Sequence, residues 1–176
     1  MPMSSAIVLV LLLAAAEQPS KHGVGRAPTE QEIRALGVMV APDGKGLPEG
    51  AAGTAVEGRE VFASRCAKCH GEKAEGDVGP ALVGGQGTLA TSKPRKTVGS
   101  FWPHATSVWD YVNRAMPFNQ PGLLNHNEVY SVVAYILHLN GIVGEKQVMN
   151  SKTLPQVRMP NRDGFVSDPR PDIKRK

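Results

Sequence analysis

The sequence predicts an all-α domain with extended segments at both ends, and three observations carry that expectation. Two stretches, from about residue 54 to 65 and from about 127 to 139, have a capping pattern at their start and apolar residues at helical spacing. The remainder is rich in turn formers, with nineteen glycines and fourteen prolines, so long connections separate few helices. Only two cysteines are present, within five residues together with a histidine in Cys66-Ala67-Lys68-Cys69-His70, so a disulfide framework is unavailable to hold a small, loop-rich fold. At 176 residues, 41% apolar and 20% charged, one modest core is expected, stapled by something other than sulfur bridges.

Taken in order, Ala6 to Leu13 form an apolar run followed by Ala14-Ala15-Ala16, the pattern of a signal peptide over residues 1–16 cut after Ala16. The run is short for a membrane span, but it lacks the usual positive start, so an uncleaved anchor is the alternative. Residues 17–53 read as an N-terminal extension. It holds one short helix at Thr29 to Leu36, where Thr29 and Glu32 make a capping box, and then the turn-rich "APDGKGLPEG". Thr54 with Glu57 opens the next helix, which places Gly58, Val61 and Phe62 on a shared side and runs into Cys66.

From Gly71 to about Thr106 no period is sustained, which suits a compact domain only if this stretch wraps something. Ser107 is read as the cap of a short helix, "SVWDYVNRA", that stops at Met116-Pro117. The strongest helix follows, capped by Asn125 or Asn127 and closed by Asn140-Gly141, with Val129, Val132, Val133, Ile136 and Leu137 along one face. Beyond Gly141 the chain is proline-punctuated and extended. Residues 1–140 are charge-balanced, so the whole net charge of +4 belongs to this tail. With 5% aromatics and no nucleic-acid motif, a protein partner is expected and no nucleic acid.

Three chemistries compete for the Cys66–His70 motif. A redox dithiol wants a βαβ context that the flanks lack, and a closed zinc site needs a second ligand pair that the sequence does not offer. Covalent haem fits: two thiols three positions apart can add to the two vinyl groups, and the next residue, His70, falls under the iron as proximal ligand. For the sixth position the candidates are Met39, Met116, Met149, Met159 and histidines 22, 104, 126 and 138. Most have a bland alternative as core filler or surface residue. Met116 is preferred because it ends a helix, precedes a proline and stands before the strongest helix. Imidazole–thioether ligation raises the reduction potential and closes the iron to substrate, which is electron transfer and not catalysis. A Gly79-Pro80 turn can offer a carbonyl to the other nitrogen of His70. Trp102, Trp109 and Tyr111 could reach haem propionates or serve as ordinary core aromatics, and "KPRK" at 93–96 could steer an acidic partner or be a solvated loop.

The helix into "CAKCH", "GPAL" at 79–82, "RAMPF" at 114–118 and "EVYSVVAYILHLNG" together resemble class I cytochromes c. Longer segments, including "LVGGQGTLATSKPRKTVGSFWPHATSVWDYVNRAMPFNQPG" and "LPQVRMPNRDGF", are similar to the cytochrome c subunit of periplasmic sulfite dehydrogenases and of Sox-type sulfane dehydrogenases. The resemblance implies a class I cytochrome c fold over residues 54–141, wrapped around one covalent haem c. It carries Cys66 and Cys69 over as attachments and His70 and Met116 as iron ligands, while Pro80 and Trp102 are expected at the cofactor from the reading of the residues themselves. It further implies a periplasmic electron-transfer subunit, not the catalytic chain. Such a subunit takes electrons from a molybdenum cofactor dehydrogenase subunit and passes them to a downstream cytochrome c or oxidase. Residues 142–176 are then expected to form a basic strap docked on that partner. Membrane contact is expected only if the N-terminal segment stays uncleaved. Sox cytochromes often carry two haems, whereas this chain has one CxxCH, which leaves the sulfur substrate open. A free-standing electron shuttle is the second reading, and a haem enzyme or gas sensor with an open sixth site is the third.

Overall fold

A computed structural model describes residues 24–35, 37, 39–167 and 170. The expected signal peptide and His22 lie outside the described residues. The chain divides into two compact units at Val38 and Met39. In the first, helix α1 (Glu30–Ala35) starts at the anticipated capping box. Thr29 N–H donates to Glu32 Oε2 at 2.8 Å, and Glu32 N–H returns to Thr29 Oγ1 at 3.2 Å. Arg26 pairs with the same carboxylate. That guanidinium and the Thr29 donors hold Glu32 down to about 2.

The second unit is helical with one minute sheet. Its elements are β1 (Ala52–Gly53), α2 (Ala55–Arg65), α3 (Ala67–His70), α4 (Ala105–Ala115), α5 (His126–Leu139), β2 (Met149–Asn150) and a 3-10 turn (Leu154–Gln156). Both strong helices start where their capping boxes put them. Thr54 and Glu57 exchange side-chain and backbone bonds ahead of α2, and Asn125, not Asn127, does so with Glu128 ahead of α5. Asn127 instead accepts from the Ala52 N–H at 2.9 Å. The third helix departs from expectation at its start: α4 begins at Ala105 with His104 as its uncapped N-cap, and Ser107 lies inside it.

The core is the crossing of α2 and α5, the most extensive contact between elements. Gly58 makes that crossing possible, because a Cβ there would collide with the Ser131 backbone and lie 2.8 Å from Tyr135 Cβ. Around it Phe62, Val129, Tyr130, Val132, Val133 and Leu137 are fully buried. Tyr135 adds a tilted ring contact to Phe62 at 5.4 Å. Helix α4 joins this pair through Val108, Trp109 and Val112, with the Trp109 ring 5.3 Å from Tyr130.

Segments on either side of the helices pack into the same core. Strand β1 pairs antiparallel with β2, Ala52 opposite Asn150 and Gly53 opposite Met149. Ahead of it Val40 and Leu47 are buried, the Val40 N–H donates to Asp110 Oδ1 at 3.1 Å, and Tyr130 donates to Pro48 O at 3.3 Å. Behind it Met149, Leu154, Val157 and Met159 are buried. The strap expected over 142–176 therefore closes its own domain as far as Met159. A run of four buried apolar side chains gains more by packing at home than by waiting for a partner. Past that point Phe165 and Val166 are exposed, with Phe165 edge-on to Phe101 at 5.3 Å. Among the described residues no helix is long and apolar enough to cross a membrane.

Candidate functional site

The site is built where α2 ends. Cys66 closes α2, its N–H donating to Phe62 O at 2.8 Å, and simultaneously starts α3, because the His70 N–H donates to Cys66 O at 3.0 Å. Both cysteines and His70 thus share one short helical turn, held in sequence by backbone bonds. Gly71, at φ +82°, turns the chain out of it.

The loop after the turn folds back on the motif. Gly79 N–H donates to Cys69 O and Gly76 N–H to His70 O, each at 2.7 Å. These bonds place the Pro80 carbonyl 2.7 Å from His70 Nδ1. A carbonyl oxygen only accepts, so Nδ1 carries the proton and Nε2 is left with the ring's free lone pair. That is a metal-binding tautomer with its orientation fixed from behind.

The Cys66 thiol is unsuited to the competing chemistries. Burial, with the neighbouring Cys69 adding to it, pushes the Cys66 thiol up to about 11, whereas a redox or zinc-binding cysteine needs a stabilised thiolate. Among the described residues no group of three or more His, Cys, Asp and Glu side chains could hold a metal ion. One imidazole lone pair beside two thiols on one turn is the donor set that a covalently attached haem requires.

Of the candidates for the sixth position, Met116 ends α4, its N–H bonded to Val112 O at 3.1 Å, and lies half-buried against the core. The others have different employment. Met149 and Met159 are sealed in the core and Met39 is 70% exposed. His126 rests on Trp109, and His138 Nδ1 donates to Val143 O at 3.2 Å. His104 Nδ1 is buried with no partner among the described residues.

Trp102 is half-buried beside Tyr111, ring centroids 5.7 Å apart, and packs on the core as Leu82, Val83, Cys66 and Met116 do. Trp109 is a core aromatic, 2% exposed, although its Nε1 has no partner among the described residues. In "KPRK" the charges are partly spoken for: Arg95 donates to Glu75 O at 3.0 Å, and Lys96 sits 5.0 Å over the Phe101 ring.

Sequence reasoning missed how the long loop is fastened. Thr97 donates to Gly84 O, Ser100 donates to Arg95 O at 2.6 Å, and Asn161 donates to Phe101 O at 2.8 Å. Asn140, read from the sequence only as a helix stop, binds the loop at Leu82 and Gly84. The buried Thr and Ser of "KTVGS" were the available signal, since buried hydroxyls need partners.

Comparison with known proteins agrees with this donor set. The family model described as cytochrome c matches residues 55–140. A chain in the crystal structure of the sulfane dehydrogenase SoxCD from Paracoccus pantotrophus is similar at 41% identity with a TM-score of 0.76, the match covering 86% of this chain and 75% of that one. No curated protein sequence matches.

Proposed function

Because this chain belongs to the cytochrome c family and so carries covalent haem c, we propose that it is the electron-accepting subunit of a periplasmic sulfur-compound dehydrogenase. The observation that carries this reading is the similarity to a chain of SoxCD over most of both chains. In it, a molybdenum-containing subunit oxidises sulfite or a sulfane sulfur and this chain takes the electrons one at a time. It then passes them to a downstream cytochrome or oxidase.

Haem c supplies a one-electron ferric/ferrous couple. The residues around it bind, orient and tune. Cys66 and Cys69 tether the macrocycle through thioethers. His70 ligates through Nε2 while Pro80 holds its Nδ1 proton, which makes the imidazole more electron-donating. Met116, at the end of α4, would supply the second iron ligand, and its soft sulfur would favour the reduced state. Trp102, half-buried against the core, would help to line the haem. Export before haem attachment follows from the N-terminal residues 1–16, and the basic end of the chain beyond Pro160 meets the dehydrogenase subunit.

The test is gentle isolation of the N-terminally tagged mature protein from its native host. The eluate is assayed for molybdenum, a copurifying subunit and haem reduction by sulfite or a sulfane donor. Stoichiometric molybdenum with rapid reduction is expected. A pure haem protein that neither substrate reduces would replace this reading with an independent electron shuttle.

A further inference from the structure

We infer that Asn140, at the far end of α5, is a positioning residue for the proximal imidazole and sets the strength with which His70 donates to the iron. This rests on the reading of His70 as the axial ligand.

The carboxamide of Asn140 is used at both ends. Nδ2 donates to Leu82 O at 3.1 Å and to Ile136 O at 2.9 Å, while Oδ1 accepts from the Gly84 N–H at 3.2 Å. The first and last of these bonds grip two residues of the loop, and the middle one anchors the side chain to α5 itself. Leucine would make none of these bonds, and aspartate would set a carboxylate against two carbonyl oxygens that need donors. The loop is shaped around this group, since a side chain at Gly99 would occupy the place of the Asn140 carboxamide. Ending a helix explains the backbone of Asn140-Gly141. It does not explain a side chain that bonds residues 56 and 58 positions away.

What the grip controls is the Pro80 carbonyl. The segment 79–84 is fixed at its start by Gly79 N–H on Cys69 O at 2.7 Å and in its middle by Leu82 N–H on Ala74 O at 2.9 Å. Both of those anchors belong to the haem-binding turn and its own loop, so they move with it. Asn140 joins the segment to α5, which is clamped across α2 by the main core crossing. With that link the Pro80 oxygen is held against His70 Nδ1 by the rigid part of the molecule. Without it the 2.7 Å bond lengthens on average, the imidazole donates less charge, and the ferric state loses stabilisation relative to the ferrous.

The test uses the full-length haem protein. Wild type is compared with Asn140→Asp, of nearly identical shape, and Asn140→Ser, which keeps one donor, by equilibrium redox titration. NMR of the reduced state follows exchange of the His70 Nδ1 proton with solvent. Met149→Ala, which destabilises the core away from loop 79–84, serves as a control for stability loss alone. The Nδ1 proton should exchange several-fold faster in both Asn140 variants, the midpoint potential should rise in Asn140→Ser, which adds no charge, and neither should change in Met149→Ala. The inference fails if both Asn140 variants keep the wild-type potential and exchange rate, or if Met149→Ala shifts them equally. If Asn140→Asp does not hold haem, the Asn140→Ser comparison decides alone. Strongly ring-current-shifted His70 ring protons in reduced wild type mark the ligation, and their absence would defeat the ligand reading and this inference with it.

Discussion

Replacing Met116 with alanine removes a soft thioether and leaves no second sulfur within the described core free to take its place, since Met149 and Met159 are sealed elsewhere. The expected result is a lower reduction potential, loss of the methionine–iron charge-transfer band and ready binding of carbon monoxide by the reduced protein. Persistence of the band would remove Met116 from the iron. Tyr130 offers a second test at this scale. Burial raises its phenol to about 12, above an ordinary value near ~10, so the folded state prefers the neutral form. That contribution is complete below the unfolded value and is lost as pH climbs towards the folded one. Between about pH 10 and 12, wild type should therefore lose stability more steeply than Tyr130→Phe in denaturant titrations. Parallel curves would mean that Tyr130 takes no part in alkaline unfolding. The haem motif itself was legible residue by residue because its chemistry is local. Asn140 was not, because its partners at Leu82 and Gly84 are distant in sequence and a helix-ending asparagine has an adequate local explanation.

Helices were legible for the same reason of locality. The capping boxes at Thr54 and Asn125 lie within one turn of the residues they serve, and the start of each helix follows from them. Helix α4 has no side-chain cap at its start, so Ser107 was a plausible but wrong beginning. What sequence periodicity cannot convey is which faces meet. Gly58 looked like one member of an apolar side, whereas its value lies in the missing Cβ that lets α2 touch the Ser131 carbonyl on α5. Gly58→Ala improves helix propensity by up to about 1 kcal/mol yet must push the two helices apart. Overpacking at such a contact costs on the order of 1–3 kcal/mol or more, so net destabilisation is expected in chemical denaturation, with weaker haem retention. A more stable variant would show that the crossing has room to spare.

For the whole molecule, the part that the flanking segments take in the core was not legible, because two-residue strands and isolated buried methionines leave no periodic trace. The β1–β2 pair needs partners nearly a hundred residues apart, and Met159 in a proline-rich tail resembles any other tail residue until its neighbours are known. Two truncations separate the roles of that tail. Ending the chain at Val148 removes Met149, Leu154, Val157 and Met159, all buried. Each such loss costs roughly 2–5 kcal/mol for the larger side chains, and together they approach the ~5–15 kcal/mol that holds a domain folded. This protein should unfold and lose haem, whatever its partner does. Ending it at Arg170 leaves every one of those side chains and the Phe101–Phe165 contact in place and removes Lys174, Arg175 and Lys176 against Asp172. Its melting temperature and haem spectrum should match wild type. Its association with the dehydrogenase subunit should be slower at low salt, and the difference should vanish as salt screens the missing charge. Unchanged association at every ionic strength would take partner docking away from the end of the chain and leave the tail with its work inside the fold alone.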